Sequence, residues 1–241
     1  MSSIGLIGFG RFGKIWFEML CDDFNIKVYD PTQQTSGNNV DFADITTVAQ
    51  QNTVFVAVPI RDFKDVILEI SPLISKNTTV IDVCSVKVYP VTVMTEALPD
   101  SAGIIATHPL FGPDSISSGD NLRIMMNETR DSMGQFENWK NYFESKSINV
   151  IEMSPEEHDR AAAKTQGVTH FIGRVLRDVG VVQNEVETLG FRDLLEVIDQ
   201  TCNDSWDLFT DLENYNPYTF EMIKQLESSI DKIRSKILRR E

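Results

Sequence analysis

Short apolar runs alternate with helix-forming segments over the first 150 residues of this chain, and this alternation limits the folds open to it. Two of the runs, at 53–58 and 79–84, are almost continuously apolar, which suits strands buried on both faces of a parallel sheet. The alternation is typical of a doubly wound α/β fold. The predicted strands are Ser3–Gly8, Ile26–Asp30, Thr53–Val58, Thr79–Cys84, Gly103–Thr107, Leu122–Asn127 and Asn149–Met153, and the predicted helices between them are Phe12–Asp22, Arg61–Ile74, Tyr89–Leu98 and Asp131–Ser145.

The pattern changes after residue 153, where no further strand is predicted and the chain becomes helical. Ser154 has the features of a helix N-cap, because a proline follows it and Glu157 stands three residues after it. We therefore predict a Rossmann-type doubly wound domain over 1–153 and an all-helical domain over 154–241. The later helices are predicted at about 168–179, from about Arg192 to Leu212, and from Asn216-Pro217 onward.

A glycine-rich loop joins the first predicted strand to the first predicted helix. Gly8 would permit a tight turn, Gly10 would let backbone N–H groups approach a pyrophosphate, and Gly13 would let the helix pack closely on the strand. Asp30 ends the second strand, 22 residues after Gly8, where a carboxylate binds the adenosine ribose and repels the 2′-phosphate of NADP. The cofactor predicted is NAD, with NADP as the alternative. The predicted cofactor-binding residues are Gly8, Phe9, Gly10, Arg11, Phe12, Gly13, Asp30, Val58, Pro59 and Ser85.

The composition excludes several classes of function. The 241 residues carry 22 Lys+Arg against 36 Asp+Glu, a formal net charge of −14. A chain this acidic lacks the basic face that nucleic acids and anionic membranes require. No apolar run is long enough to span a bilayer. Cys21, Cys84 and Cys202 show no metal-ligand spacing, so no metal is predicted, and we expect a cytoplasmic protein because no leader pattern precedes the first strand.

Two polar segments follow predicted strands, and we expect both at the carboxyl edge of the sheet, where ligands of such folds bind. Ser85 follows the fourth predicted strand, within Asp82–Lys87, and is expected to act as a helix N-cap and a ligand at once. His108 ends the fifth predicted strand and precedes a loop that contains glycine and proline. A core histidine is unusual in that position, so His108 is a candidate for chemistry.

Two patterns stand out in the predicted helical domain. Gln166, His170 and Arg174 are spaced four apart, so they lie on one polar face of a helix. In the last helix, apolar residues recur at spacings that approach a coiled-coil seam. That row indicates either a helix packed on its own domain or a dimer contact. Its members are Phe220, Ile223, Leu226, Ile230, Ile233 and Ile237.

Together these segments resemble the prephenate/arogenate dehydrogenase family, and the plant arogenate dehydrogenase branch in particular. The resemblance covers nearly the whole chain. It implies a dinucleotide domain, a helical domain that dimerises, and an oxidative decarboxylation in tyrosine biosynthesis. In that reaction, hydride leaves C4 of a cyclohexadienol for the nicotinamide, and CO₂ leaves C1 as the ring becomes aromatic. The segments that carry the resemblance are the glycine loop, Ser85-Val86-Lys87, His108-Pro109-Leu110-Phe111-Gly112-Pro113 and the helix with His158, Gln166, His170 and Arg174.

The resemblance also implies roles for individual residues. His108 is expected to be the catalytic base, and Ser85 is expected to orient the substrate hydroxyl. His170 and Gln166 match family positions that line the substrate pocket. Asp204 matches the plant pattern, where an acid would pair with the ammonium of arogenate and disfavour the keto group of prephenate.

Two positions depart from the family or leave a role open. Glu196 stands where we align the arginine that binds a substrate carboxylate in common bacterial members. His158 fits a family motif, but its place in the first turn of a helix suggests a structural role. The candidates for the carboxylate ligand are Arg174, Arg192, Arg123 and Lys164.

Two other functions remain open at this stage. β-Hydroxyacid dehydrogenases also join a Rossmann domain to helices, but they use a catalytic lysine, which would have to be Lys164, and His108 would then have no role. A regulatory domain could bind NAD without turnover, but the presence of Ser85, His108 and His170 together argues against it. The preferred prediction is a homodimeric NAD enzyme whose small-molecule substrate is arogenate or prephenate.

Overall fold

The computed structural model describes residues 3–33, 40–112, 122–131 and 133–238. The chain divides into two compact units, Met1–His158 and Asp159–Glu241. The first contains a mixed sheet with helices, and the described part of the second is helical. No described helix is long and apolar enough to cross a membrane.

One eight-stranded sheet forms the centre of the first unit, in the order β3-β2-β1-β4-β5-β6-β7-β8. Seven of its strands confirm the predicted ones. The eighth, β3, has only two residues and too little apolar sequence to predict. Neighbouring strands are parallel except β6 and β7, which pair antiparallel. The strands are β1 Ser3–Ile7, β2 Asn25–Tyr29, β3 Asp41–Phe42, β4 Thr53–Val56, β5 Thr79–Asp82, β6 Gly103–Pro109, β7 Arg123–Arg130 and β8 Asn149–Glu152.

Aromatic packing builds the core of this unit. Trp16 is fully buried, with its ring centroid 5.5 Å from that of Phe55 and 5.6 Å from that of Phe143. Trp139 lies 4.9 Å from Phe55, edge to face. Fully burying a large apolar side chain stabilises by roughly 1.5–3 kcal/mol, so these rings hold two helices against the sheet. The helices of the unit are α1 Arg11–Leu20, α2 Ile45–Ala49, α3 Ile60–Ile70, α4 Val88–Ala97 and α5 Gln135–Ser145.

A reciprocal cap starts the helix that leads into the second unit. The Ser154 hydroxyl accepts a hydrogen bond from the Glu157 N–H at 3.2 Å, and the Ser154 N–H donates to the Glu157 carboxylate at 2.9 Å, as the sequence predicts. A π-helical turn, Ala163–Gly167, follows this helix. The α-helices are α6 Pro155–Ala162, α7 Val168–Asp178, α8 Leu189–Cys202, α9 Trp206–Tyr215 and α10 Thr219–Leu238.

The prediction of one helix from Arg192 to Leu212 is wrong, because the chain breaks between α8 and α9. Ser205 is the N-cap of α9, and its hydroxyl accepts from the Leu208 N–H at 3.1 Å. The break spans Asn203, Asp204 and Ser205, whose short polar side chains favour caps and turns over helix interiors. The sequence predicts a continuous helix because the apolar pattern continues on both sides of these three residues, and that pattern takes no account of their preference for caps and turns.

Candidate active site

The glycine loop has the geometry that its sequence predicts. Gly8 has φ +96°, and a Cβ there would lie 2.3 Å from the Ala57 carbonyl oxygen. A Cβ on Gly13 would lie 2.2 Å from the Gly8 oxygen, so helix and loop could not pack so closely with a side chain. Around Gly10 the space is open to 4 Å, and no side chain caps the α1 N-terminus there. An exposed helix N-terminus beside open space suits a pyrophosphate.

The side chains of the neighbouring loop residues differ in burial. The Phe9 ring is buried against Phe17 and Phe42, and Phe12 stacks on Trp16. The Arg11 side chain is exposed at the first helical position. Of the six predicted loop residues, therefore, the two phenylalanines face the core.

Asp30 braces the glycine loop instead of standing free at the end of β2. Its carboxylate accepts from the Phe9 N–H at 2.7 Å, the Thr32 N–H at 2.8 Å, the Thr32 hydroxyl at 2.7 Å and the Gln33 N–H at 3.1 Å. Burial raises the pKa of Asp30, but these donors outweigh it and hold the pKa below its ordinary value. Three of the four donors share Oδ1, so Oδ2 keeps a lone pair that could accept a ribose hydroxyl.

The loops after β1, β4 and β5 meet at the carboxyl edge of the sheet, because these strands are adjacent. Val58 contacts the glycine loop, since its Cγ1 would lie 3.1 Å from a Cβ on Gly8. Pro59 stands at the N-cap position of α3. Ser85 is half-buried in the loop between β5 and α4, but the prediction that it caps α4 is wrong. Lys87 occupies the N-cap position, because α4 begins three residues after Ser85.

A buried ion pair ties the Ser85 loop to the strand that carries His108. Lys87 and Asp82 are both fully buried and in contact, and the Lys87 ammonium also donates to the Thr107 carbonyl. The Thr107 hydroxyl donates to the Asp82 carbonyl at 2.5 Å. The pair therefore fixes the ends of β5 and β6 relative to each other. In the sequence, Lys87 stands out only as part of the Ser85-Val86-Lys87 motif. The sequence signal for the ion pair is the presence of two opposite charges, Asp82 and Lys87, on either side of Ser85.

His108 pairs with a second histidine. Its Nδ1 lies 2.8 Å from the Nε2 of His158, and both rings are buried. Burial lowers the pKa of His108 well below its ordinary value of 6.5, and the charges of His158 and Lys87 lower it further. His108 is therefore neutral at neutral pH. The strand β6 continues past His108 to Pro109, so the backbone of His108 is part of the sheet.

In the second unit, His170 and Arg174 lie one turn apart on α7, and Gln166, the third residue of the predicted polar face, lies in the preceding π-helical turn. All three are half-buried. Each side chain carries one buried atom without a hydrogen-bond partner among the described residues, namely Gln166 Oε1, His170 Nδ1 and Arg174 Nε. Burial lowers the pKa of His170, the Asp204 carboxylate raises it, and Arg174 lowers it. The structure therefore places His170 and Arg174 near Asp204, at the break between α8 and α9.

Glu213 of α9 is a polar residue that the sequence analysis missed. Its Oε2 would lie 3.5 Å from a Cβ on Gly167, and both carboxylate oxygens are buried without a partner of normal hydrogen-bond geometry among the described residues. Burial raises the pKa of Glu213 to about 7, although the nearby Thr219 hydroxyl lowers it in part. No signal in a single sequence separates this glutamate from the many exposed ones.

The other candidates for a carboxylate ligand face solvent. Arg123 and Lys164 are exposed. Arg192 is exposed and pairs with Glu187, whose Oε1 lies 3.1 Å from the Arg192 Nε. The exposure of Lys164 also gives no support to the hydroxyacid dehydrogenase alternative, since a catalytic lysine of that kind requires a sheltered site.

Comparisons with known proteins agree with the resemblance. A family model described as prephenate dehydrogenase, nucleotide-binding domain, matches residues 28–152, and one described as TYRAAT1-like, C-terminal domain, matches residues 175–241. Arogenate dehydrogenase 1, chloroplastic, of Arabidopsis thaliana is 29% identical over 98% of this chain and 39% of its own length. Arogenate dehydrogenase 2, chloroplastic, of the same plant is 34% identical over 68% of this chain and 48% of its own length. The chain thus spans less than half the length of these two relatives.

A solved structure shares the fold. The crystal structure of prephenate dehydrogenase from A. aeolicus, in complex with hydroxyphenyl propionate and NAD⁺, matches with a TM-score of 0.79 and 19% identity over 99% of this chain and 91% of that one. With one family model matched over more than half of its residues and arogenate dehydrogenases among its relatives, the chain belongs to the prephenate/arogenate dehydrogenase family.

Proposed function

We propose that this protein catalyses the oxidative decarboxylation of arogenate or prephenate with NAD, as a step of tyrosine biosynthesis. The observation that carries the proposal is the buried, neutral His108, paired with His158 on the same sheet edge as the glycine loop and Ser85. The substrate loses a hydride from C4 and its hydroxyl proton, and CO₂ then leaves C1 as the electron pair of the broken bond moves through the ring to the C4 oxygen, which takes up a proton to give the phenol. Such a reaction needs a base at the hydroxyl and a donor that orients it.

The His108–His158 pair supplies the base in one tautomer only. For His108 Nε2 to accept the hydroxyl proton, its Nδ1–H must donate to His158 Nε2, which lies 2.8 Å away. Through this hydrogen bond His158 then fixes the ring orientation and the tautomer of His108, as an orienting partner does in other histidine bases. His158 is a positioning residue in this proposal. Ser85, whose hydroxyl has no hydrogen-bond partner among the described residues, orients the substrate hydroxyl.

The residues at the glycine loop fit a dinucleotide. The uncapped N-terminus of α1 and the open space at Gly10 suit the pyrophosphate, and Asp30 Oδ2 suits a ribose hydroxyl. NAD bound there would accept the hydride. NAD is proposed over NADP because the pKa of Asp30 is lowered. The carboxylate therefore stays charged and would repel a 2′-phosphate.

Arogenate is the proposed preferred substrate. Asp204 lies near His170, whose pKa it raises, on the polar face where His170 and Gln166 carry uncommitted atoms. A carboxylate there would pair with the arogenate ammonium and would stay unpaired beside the keto group of prephenate. Two curated relatives carry the name arogenate dehydrogenase. Asp204→Asn is therefore expected to shift the kcat/KM ratio toward prephenate.

A second copy of the chain is the proposed partner of α10. That helix buries only Thr219 and Met222. Its apolar row remains more than half exposed in the single chain, at Phe220, Ile230, Ile233 and Ile237. An exposed apolar row of this length indicates an interface. Light scattering is expected to give a dimer, and a species near 27.3 kDa at micromolar concentration would contradict it. A cytoplasmic location stays a prediction, whereas the two Arabidopsis relatives are described as chloroplastic.

Absorbance at 340 nm tests the proposed function. NAD reduction is measured with arogenate, prephenate and a 3-hydroxy acid, and CO₂ release is measured in parallel. We expect NADH and CO₂ in equal amounts with a cyclohexadienol and no signal with the hydroxy acid. Binding of NAD without turnover of either cyclohexadienol would instead select the regulatory alternative.

A further inference from the structure

Arg174 makes a set of contacts that differs from those of a free substrate ligand. Its Nη2 donates to the Asp204 carbonyl at 2.6 Å and lies 3.5 Å from the Ser205 carbonyl. The guanidinium carbon lies 5.3 Å from the Trp206 ring centroid and 5.2 Å from that of Phe209. Arg174 therefore holds the backbone of the α8–α9 break and is itself held by two rings of α9.

The break between α8 and α9 depends on a contact such as the one with Arg174 more than the two helices do. Asp204 lies outside both helices, and the Ser205 cap fixes only the first turn of α9. A shift of this turn would move the Asp204 carboxylate away from His170, which it now influences. Arg174 stands one helical turn after His170 on α7, so one helix carries both the histidine and the group that holds the acid near it.

We propose that Arg174 is a positioning residue that aims Asp204, and thereby sets the preference for arogenate over prephenate, instead of binding a carboxylate of the substrate. The inference rests on the proposed function. A carboxylate ligand would act on both substrates alike, because both carry the same carboxylates. A residue that aims Asp204 acts on arogenate, because only arogenate has the ammonium.

Arg174→Lys separates these roles, because lysine keeps the charge but loses the planar fork and the stacking. We expect kcat/KM for arogenate to fall about tenfold, in line with the loss of one charge-assisted hydrogen bond, while kcat/KM for prephenate changes little. In Arg174→Lys/Asp204→Asn, the substrate ratio should equal that of Asp204→Asn alone, because the two residues act through one contact. Equal losses for both substrates, or additive effects in the double variant, would overturn the proposal.

Arg177→Lys is the matched control. Arg177 lies on the same helix, but it is exposed and pairs with Asp199 at 3.6 Å, so the substrate ratio should stay at the wild-type value. Trp206→Leu is a second variant in case Arg174→Lys does not fold. Trp206 is largely exposed, and its ring is one of the two that contact the Arg174 guanidinium. Its loss should shift the ratio in the same direction by a smaller factor, and an unchanged ratio would contradict the proposal.

A readout without turnover keeps the inference separate from the proposed function. The chain has three histidines, so NMR can follow the pKa of the His170 imidazole directly. Asp204→Asn should lower that pKa because the carboxylate raises it. Arg174→Lys should also lower it, since the charge is kept and only the aim of Asp204 is lost. Failure of the wild type to use either substrate would refute the proposed function alone, whereas an unchanged His170 pKa in Arg174→Lys would refute the positioning role.

Discussion

The His108 network of the first unit and the polar face of the second unit contrast in how their buried polar groups are used. Lys87, Asp82 and Thr107 bond to one another, and the adjacent His108 bonds to His158. Gln166 Oε1, His170 Nδ1, Arg174 Nε and the Glu213 carboxylate are buried but uncommitted among the described residues. On the proposed function, these bonds preorganise the base. The polar face would then keep hydrogen-bonding capacity for recognition, so we expect the substrate preference to be easier to change than the chemistry.

Substituting His108 should give the largest effect on activity. His108→Ala removes the proposed base, so kcat should fall by roughly 10²–10⁴, while NAD binding, measured by fluorescence titration, should change much less. Gln166→Ala on the polar face serves as the comparison and should act mainly on KM. A His108→Ala variant with near wild-type kcat would remove His108 from the mechanism.

Removing the buried Lys87–Asp82 ion pair should lower both the free energy of unfolding and the activity. Lys87→Met leaves Asp82 buried without its partner, which destabilises by about 3–5 kcal/mol, and urea unfolding measures the loss. Lys27→Met is the control, because its pair with Asp41 is partly exposed and should contribute less than about 1 kcal/mol. Equal losses in the two variants would show that the buried pair does not brace the site.

Substituting Asp30 should reduce the preference for NAD over NADP. We expect this effect to be smaller than the effects at His108 and Lys87. Asp30→Ser removes the repulsion of a 2′-phosphate, and we expect the NAD/NADP ratio of kcat/KM to fall about tenfold. Asp30→Asn keeps part of the hydrogen bonding to Phe9 and Thr32, so it separates the loss of charge from the loss of the loop brace. A wild type that uses both cofactors equally would contradict the assigned role.

Features that depend on residues close together in the chain could be predicted from the sequence, whereas features that join distant residues could not. The roles of Gly8 and Gly13 follow from the strand–loop–helix order, and the Ser154 cap follows from a four-residue pattern. The His108–His158 bond joins residues 50 apart in the chain, and no periodicity specifies such a partner. The turn that follows Asp30, where Thr32 and Gln33 bind its carboxylate, could have been predicted from the Asp-Pro-Thr sequence.

The smallest expected effect is on stability and comes from Glu213 on α9. Because the pKa of Glu213 is raised to about 7 from 4.5, the folded protein keeps a proton that the unfolded chain releases. Stability should therefore fall as pH rises from about 4.5 to about 7 and then level off. Glu213→Gln should remove this slope and stabilise at pH 8 by about 1 kcal/mol after screening. Glu227→Gln, which changes an exposed glutamate on α10, should leave the slope in place.

The pH dependence of kcat/KM for the cyclohexadienol with saturating NAD tests the central claim most directly, because it reports the ionisation of the enzyme–NAD complex before the substrate binds. The base must be neutral, and burial holds the pKa of His108 well below 6.5. The sequence alone would place the loss of activity near pH 6–7, at the ordinary histidine value. The structure predicts a kcat/KM that stays level from pH 7.5 to about 6 and falls only at lower pH. Half of the activity lost at pH 6.5 or above would contradict a buried, neutral His108 as the base.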